Sequence, residues 1–395
     1  MITGGFSFIA FIVCLAAGVF FVEEKTRLKF FEYVPPLVII YFSAMLLSTF
    51  GMWTLSDNGV ATGAGIARSA IRSAILPSMI FLMLLKCDMR NIMKLGPKML
   101  LAFFSASFSI MIAFIVAFDV FHENLASNSW QTFGALAGSW IGGTQNMVAV
   151  QQALGLNDAG MGYTLLIDSI DYSIWIMLLL MMVSTKNIAR RFNRFNRADT
   201  SVVEEISAKL AELEKGGRTE TTFLDLFGLL ALALGSGAFF TFIADYLPQS
   251  EFITSTIWMI MLATVAGILC AMTPLSRVPG SKQLSNIMLY TMVALIASSA
   301  NFAELTEAPV YIIAGFLILA IHAVVMLLLA KLFKIDLFTC CIASCSNIGG
   351  VASSPIIAGA YNENLVPIGV LMGMLGAIIG TGGGLLVARI LFTMI

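Results

Sequence analysis

The feature that most constrains this chain is its series of long apolar stretches. A helix that crosses the hydrocarbon core of a bilayer needs about 20 predominantly apolar residues. The sequence has ten stretches that qualify, and only 11% of its residues are charged, against about 25% in soluble domains. We therefore predict an all-α polytopic membrane protein. The predicted spans are residues 4–22, 33–53, 66–86, 98–120, 160–183, 223–243, 252–272, 284–301, 309–331 and 366–393.

Composition and motifs exclude several classes of function. A formal net charge of −1 gives no basic footprint for nucleic acid. We find no H-E-x-x-H, no G-x-S-x-G and no cofactor fingerprint, and the six cysteines have no paired metal-ligand spacing. We expect no enzyme, no catalytic residues, no cofactor and no nucleic-acid partner. The expected partners are the lipid bilayer and a small molecule or ion.

Two further apolar stretches, residues 131–155 and 336–361, are interrupted near their middles by small and polar residues. Their arms are short, about 10–12 residues, which is typical of re-entrant segments rather than full spans. The distribution of basic residues favours re-entrance, because Lys and Arg concentrate in cytoplasmic loops. If ten helices cross and both broken segments turn back, 19 of the 22 Lys and Arg residues lie on one side. If both broken segments cross instead, the basic loops fall on opposite sides.

This topology predicts the organisation of the chain in the cytoplasmic (inner) membrane. Both termini lie outside, and residues 184–222 form a cytoplasmic linker with a short helix. The first repeat covers residues 1–183 and the second covers residues 223–395. Broken full spans remain the alternative for the two interrupted segments.

The two interrupted segments share a core at a spacing of 207 residues, Ile141-Gly142-Gly143 and Ile348-Gly349-Gly350. Each half therefore has five spanning helices plus one re-entrant segment, and because five is odd, the two repeats have inverted topology. Inverted repeats with broken helices place substrate and ion sites at the repeat interface near the bilayer midplane. The alternative for each Gly-Gly pair is close helix packing alone.

The turns of the two segments are the predicted binding site. Their returning arms begin with free N–H groups, which favour an anion, with Asn146 and Ser353-Ser354-Pro355 as predicted N-caps. Carbonyls near Gly142 and Gly349 suit Na⁺. Some of the polar side chains serve only to satisfy the broken backbone. The predicted site residues are Gly142, Gly143, Thr144, Gln145, Asn146, Asp168, Asp171, Ser346, Asn347, Gly349, Gly350, Ser353 and Ser354.

Asp168 and Asp171 lie within a predicted span at a spacing that puts them on one helix face. An ionised acid near the bilayer centre costs about 2.5–3.5 kcal/mol, so each needs a cavity or a partner. We favour Asp168 as a Na⁺ ligand or proton carrier, and the alternative is an acid bonded to the backbone of a re-entrant segment. Arg68 and Arg72 are expected to extend to the interface, with attraction of an anionic solute as the alternative.

Four stretches, GSWIGGTQNMVAV, IHAVVMLLLAKLFKID, IASCSNIGGVASSPIIAGA and GVLMGMLGAIIGTGGG, resemble the YjcL-like family of integral membrane proteins. The resemblance covers nearly the whole chain. It implies kinship with the superfamily of cation:proton antiporters and anion symporters, whose members share broken or re-entrant helices near the substrate.

The sequence thus predicts an ion-coupled secondary transporter, with Na⁺ or H⁺ as coupling ion and a small anionic organic solute as substrate. The alternative is a cation/proton antiporter without an organic substrate. A homodimer is common among similar transporters, and the sequence leaves the oligomeric state open.

Overall fold

The computed structural model describes residues 1–26, 31, 36–57, 60–198, 220–250, 253–301, 308–362 and 365–395, and these are mostly helical. Fifteen helices of eleven or more residues organise this part of the chain. They are α1 (Gly5–Thr26), α2 (Pro36–Thr49), α3 (Gly63–Leu84), α4 (Gly96–Phe121), α5 (Ser129–Gly142), α6 (Thr144–Leu154), α7 (Asp158–Ser184), α8 (Lys186–Asn196), α9 (Phe223–Ala244), α10 (Ser255–Ala271), α11 (Ser281–Ala297), α12 (Ala308–Leu332), α13 (Leu337–Ile348), α14 (Gly350–Tyr361) and α15 (Val366–Phe392).

The remaining elements are short. A four-residue helix and three 3₁₀ turns join the longer helices, and two strands of two residues each pair antiparallel before α3. They are the helix Met89–Ile92, the turns Met93–Leu95, His122–Asn124 and Pro274–Arg277, and the strands β1 (Ser56–Asp57) and β2 (Val60–Ala61).

The predicted all-α membrane architecture is confirmed. Each of the ten predicted spans overlaps one long helix of the described residues, and seven helices of the described chain are long and apolar enough to cross a membrane. These are α1, α3, α4 with its flanking turns, α7, α9, α12 and α15. The other three, α2, α10 and α11, are 14 to 17 residues long.

Local sequence explains several helix starts. The Asn157 side chain accepts from the Gly160 N–H and caps α7, and the Asp336 side chain accepts from the Thr339 N–H and caps α13. Thr222 forms a capping box at the start of α9, which satisfies two N–H groups that have no partner within the helix. In the predicted linker, α8 occupies the first part. The short helix predicted in this linker falls on residues outside the described ones.

The long helices form two groups. The first group has α3 and α11 at its centre, and α1, α2, α9 and α10 pack around them. This group is called here the α3/α11 bundle. Helices α4 to α7 and α12 to α15 form the second group, the hairpin bundle, in which α15 packs along α5 and α14, and α4 packs along α12. The two bundles meet where α7 contacts α2 and α11, and where α6 contacts α3 and α10.

Contacts between loops show how the helix ends are sorted. The starts of α3 and α7 lie together, joined by Arg68 and Asp158. At the opposite end of α3, Lys86 Nζ donates to the carbonyls of Ser276 and Val278 at 2.6 and 2.9 Å. The loop after α3 therefore lies beside the loop between α10 and α11. The distribution of basic residues predicts the same pairing of loops.

Candidate functional site

The first interrupted segment folds back on itself. Helices α5 and α6 lie side by side, with Gln131 Nε2 donating to the Leu154 carbonyl at 2.8 Å and Gly138 packed against Val150. The turn between them is made by Gly143, whose φ of +101° is disfavoured for residues with a β-carbon. Residues 131–155 are therefore a helical hairpin, called here hairpin 1.

The second interrupted segment has the same form. Near its base, the rings of Phe338 and Tyr361 stand 4.8 Å apart between centroids, although 23 positions separate them in sequence. The chain reverses at Gly349 and Gly350, and Gly350 has a φ of +57°. Helices α13 and α14 are thus an antiparallel pair, called here hairpin 2.

Both predicted N-caps are wrong. Helix α6 begins at Thr144 after Gly143, so Asn146 lies within its first turn. Helix α14 begins at Gly350, and Ser354 Oγ donates to the Gly350 carbonyl at 2.7 Å instead of capping a helix start. The physical reason is that a glycine with positive φ reverses the chain earlier than the polar residues do.

The tips of the two hairpins touch. A β-carbon built on Gly350 would lie 3.3 Å from the Gly142 carbonyl oxygen and 3.4 Å from the Gly143 Cα. The glycine-rich helix α15 packs across both tips. A β-carbon on its Gly376 would lie 2.7 Å from the Ser346 carbonyl of hairpin 2 and 3.0 Å from the Ile141 carbonyl of hairpin 1. The glycines of α15 thus let its backbone approach both tips closely.

The buried side chain of Asn146 connects hairpin 1 to the same helix. Its Oδ1 accepts from the backbone N–H and hydroxyl of Thr381 at 3.1 and 2.6 Å. Its Nδ2 has no hydrogen-bond partner in the described structure, and neither does the buried Ser346 Oγ near the tip of hairpin 2. Two buried polar groups at the crossing therefore have no partner among the described residues.

Asp168 is held by hairpin 1. Its Oδ1 accepts from Ser139 Oγ and from Trp140 Nε1, both at 3.0 Å. These contacts support the alternative that Asp168 is an acid bonded to the hairpin. Its partners are side chains of hairpin 1, however, and not the backbone groups that were predicted. Two donors can stabilise an ionised carboxylate here.

Asp171 has different surroundings, one turn further along α7. Its side chain is fully buried, and neither carboxylate oxygen has a hydrogen-bond partner among the described residues. It lies against Gly315 of α12, where a β-carbon would overlap the carboxylate. An unpaired buried charge is very costly, so Asp171 requires either a proton or a bound cation.

Hairpin 2 is fixed to neighbouring helices by polar contacts. Ser344 Oγ bonds His322 Nε2 at 2.8 Å and accepts from Trp175 Nε1 at 2.9 Å, and His322 Nδ1 bonds Ser109 Oγ at 2.6 Å. His322 of α12 thus bonds both α13 and α4. Sequence reasoning missed Ser109, because a lone serine in a span carries no signal.

Two more site residues anchor the same hairpin. Asn347 Oδ1 accepts from Ser107 Oγ of α4 at 2.6 Å, and Ser353 bonds the hydroxyl of Tyr172. Trp175 and Tyr172 lie on the same helix as Asp168, so α7 contacts both hairpins with one face. Asn347 and Ser353 are therefore engaged within the protein.

Thr144 and Gln145 are only partly buried and lie between the two bundles. Gln145 Nε2 is 3.4 Å from Ser285 Oγ and 3.5 Å from Asn286 Oδ1 of α11. Sequence reasoning missed Ser285 and Asn286, although polar residues inside a predicted span were the available signal. Within the described residues, no group of three or more His, Cys, Asp or Glu could hold a metal ion, so Na⁺ would depend on carbonyls and hydroxyls as well as the acids.

Arg68 bonds an acid and backbone carbonyls of two other helices. Its guanidinium forms a 2.7 Å ion pair with Asp158 and donates from Nε to the Leu295 carbonyl at 2.8 Å. Arg72 lies 3.8 Å from the same carboxylate. The C-terminal end of α11 attracts a cation and the first turn of α7 favours an acid. These charges therefore join the α3/α11 bundle to the hairpin bundle.

Comparison with known proteins shows which family the chain is related to. Residues 10–394 match the family described as "Protein of unknown function (DUF819)". The chain belongs to the DUF819 family. This DUF819 chain is also 23% identical over 355 residues to the uncharacterized membrane protein YjcL of Bacillus subtilis (strain 168), with 86% of the chain and 87% of the relative covered. The resemblance to YjcL-like proteins is thus confirmed.

Proposed function

We propose that this DUF819 protein is an ion-coupled secondary transporter whose site lies where the two hairpin tips cross. The observation that carries the proposal is the contact of the two tips beside α7, which bears a buried and unpartnered acid. Broken helices that meet in the core are how many transporters build their sites. In this proposal the chain has no catalytic chemistry of its own.

Contacts between helices support two inverted repeats, each with five spans and a re-entrant hairpin. The repeats would relate α1, α2, α3, α4 and α7 to α9, α10, α11, α12 and α15. Helix α3 packs on α10 as α11 packs on α2, and α15 packs on α5 as α7 packs on α13. Such exchanged pairs are expected of a two-fold axis in the membrane plane. With the basic loops placed inside, both termini lie outside the cytoplasmic membrane.

The different surroundings of the two acids support a division of roles. Asp168 already accepts two hydrogen bonds, so we assign it to positioning hairpin 1 and to supplying negative charge near the site. Asp171 has no donor, and we assign it the exchangeable proton or cation. We therefore assign to Asp171 the coupling role that was predicted for Asp168.

The solute position follows from the free polar groups. The first N–H groups of α6 and α14 lack acceptors within their helices, and both helices begin at the crossing. Gln145 of the hairpin bundle faces Ser285 and Asn286 of the α3/α11 bundle. We place a small organic anion at the crossing of the hairpin tips, because helix N-termini favour negative charge. Movement of one bundle past the other would change its access.

A cation/proton antiporter is the second candidate, and the pair of acids favours it. A proton and a metal ion could then alternate at Asp171 without any organic solute. The two functions share the coupling site and differ only in whether the tips bind an anion.

A thermal-stability screen of the purified protein separates these candidates. Unfolding midpoints would be measured in detergent across Na⁺, Li⁺, pH and a panel of small carboxylates. A ligand at 100 times its dissociation constant stabilises by about 2.7 kcal/mol. A carboxylate that raises the midpoint supports the symporter, and a rise with Na⁺ or Li⁺ alone supports the antiporter. No shift across the whole panel contradicts both.

A further inference from the structure

The basic helix α8 is not used by the proposed transport site. It follows α7 after a single residue, Thr185, and therefore lies at the end of a membrane-length helix. Its inner face is fixed to the hairpin bundle. Ile188, Ala189 and Phe192 pack against the apolar core that contains the base of hairpin 2.

Polar contacts fix the same helix to the start of hairpin 2. Asn193 Oδ1 accepts from the backbone N–H of Leu337 at 2.8 Å, and Asn196 Nδ2 donates to the Ile335 carbonyl at 3.3 Å. Lys331 Nζ donates to the Phe195 carbonyl and also lies 3.8 Å from the centre of the Phe195 ring. Helix α8 is thus packed against and hydrogen-bonded to the base of hairpin 2.

The outer face of α8 is strongly basic. Its arginines are exposed, and none forms an ion pair with an acid of the described residues. Phe195 lies beside them with 68% of its surface exposed. The arginines are Arg190, Arg191, Arg194 and Arg197.

We propose that this face binds the headgroups of anionic phospholipids, with Phe195 inserted at the level of the acyl chains. Four basic side chains that directly follow a membrane-length helix are the pattern expected of a site for anionic lipid headgroups. Arginine suits phosphate because its guanidinium donates two parallel hydrogen bonds. Asn193 of α8 accepts a hydrogen bond from the first residue of α13. Lipid bound to α8 would therefore stabilise the base of hairpin 2.

The test compares lipids on the full-length protein. The purified protein would be titrated in detergent with phosphatidylglycerol, with phosphatidylcholine and with inorganic phosphate, and bound lipid would be counted by native mass spectrometry alongside the unfolding midpoint. We expect binding and stabilisation with phosphatidylglycerol alone. In Arg190→Gln/Arg194→Gln, the affinity for phosphatidylglycerol should fall by about tenfold or more.

Two variants keep the result decisive. Arg277→Gln/Lys282→Gln removes two exposed basic residues just before and at the start of α11 and should leave phosphatidylglycerol binding unchanged. Arg190→Lys/Arg194→Lys keeps the charge and should restore most of the binding. Equal binding by wild type and the Gln double variant overturns the proposal. So does equal stabilisation by phosphatidylcholine or inorganic phosphate.

Discussion

At the scale of single residues, the two acids of α7 show what a sequence can and cannot reveal. Their spacing predicted a shared face, and that face does point into the hairpin bundle. Which acid has partners could not be predicted, because the donors to Asp168, Ser139 and Trp140, come from a different helix. Asp171 lacks a donor because it packs against Gly315, a residue far away in sequence. Its surroundings could therefore not be predicted either.

Removal of one donor tests the role of Asp168. Ser139→Ala should lower the free energy of unfolding by about 1–3 kcal/mol, since hydrogen bonds to charged groups are stronger than neutral ones. The measurement is the thermal unfolding midpoint of the purified protein.

The matched control is Ser281→Ala. Ser281 Oγ is buried and has no hydrogen-bond partner in the described structure, so its removal should be neutral or stabilising. Equal destabilisation by both variants would show that Ser139 does not stabilise through Asp168.

At the scale of elements, apolar length located the helices well and local capping rules failed at the hairpins. The span predicted at residues 66–86 is the helix Gly63–Leu84, and the breaks fall at the predicted Ile-Gly-Gly motifs. The residues predicted as caps have other partners. Ser354 bonds within its own helix, and Asn146 bonds Thr381 of α15. Because those partners are fixed by tertiary packing, the local sequence could not distinguish the two uses.

The packing of α15 across both tips gives a second prediction. Gly376→Ala places a methyl group within 2.7 Å of the Ser346 carbonyl, so backbone must move and the unfolding midpoint should fall, by about 1–3 kcal/mol or more.

Gly382→Ala on the same helix is the control, because nothing lies within 4 Å of its β-carbon position. Alanine there should leave stability unchanged or raise it by up to about 1 kcal/mol. If both variants behave alike, α15 does not pack tightly over the hairpin tips.

At the scale of the whole molecule, the Arg68–Asp158 pair joins two bundles that transport would move relative to each other. Its side chains are 16% and 17% exposed, which limits screening by water. Arg68 and Arg72 both lie within a span predicted from the sequence, but the sequence offered no way to pair Arg68 with an acid 90 positions later.

A double-mutant cycle measures this pair. Arg68→Gln and Asp158→Asn should each destabilise the protein, and their coupling energy should be about 1–3 kcal/mol. The exposed Asp88–Arg90 pair, with 58% of the arginine side chain accessible, should give less than about 1 kcal/mol in the same cycle. A coupling for Arg68 no larger than that of the surface pair would mean that it does not hold the bundles together.

The most direct test of the account is proton exchange at Asp171. Wild-type protein and Asp171→Asn would be placed in weakly buffered detergent solution with a pH-sensitive dye. Na⁺, Li⁺ and each carboxylate of the stability screen would then be added in turn, with choline chloride as the ionic-strength control. We predict that at least one of these ligands makes the wild type release or take up a proton, and that Asp171→Asn exchanges none while remaining folded. The same proton exchange in both proteins, or none by the wild type with any ligand, would contradict the account.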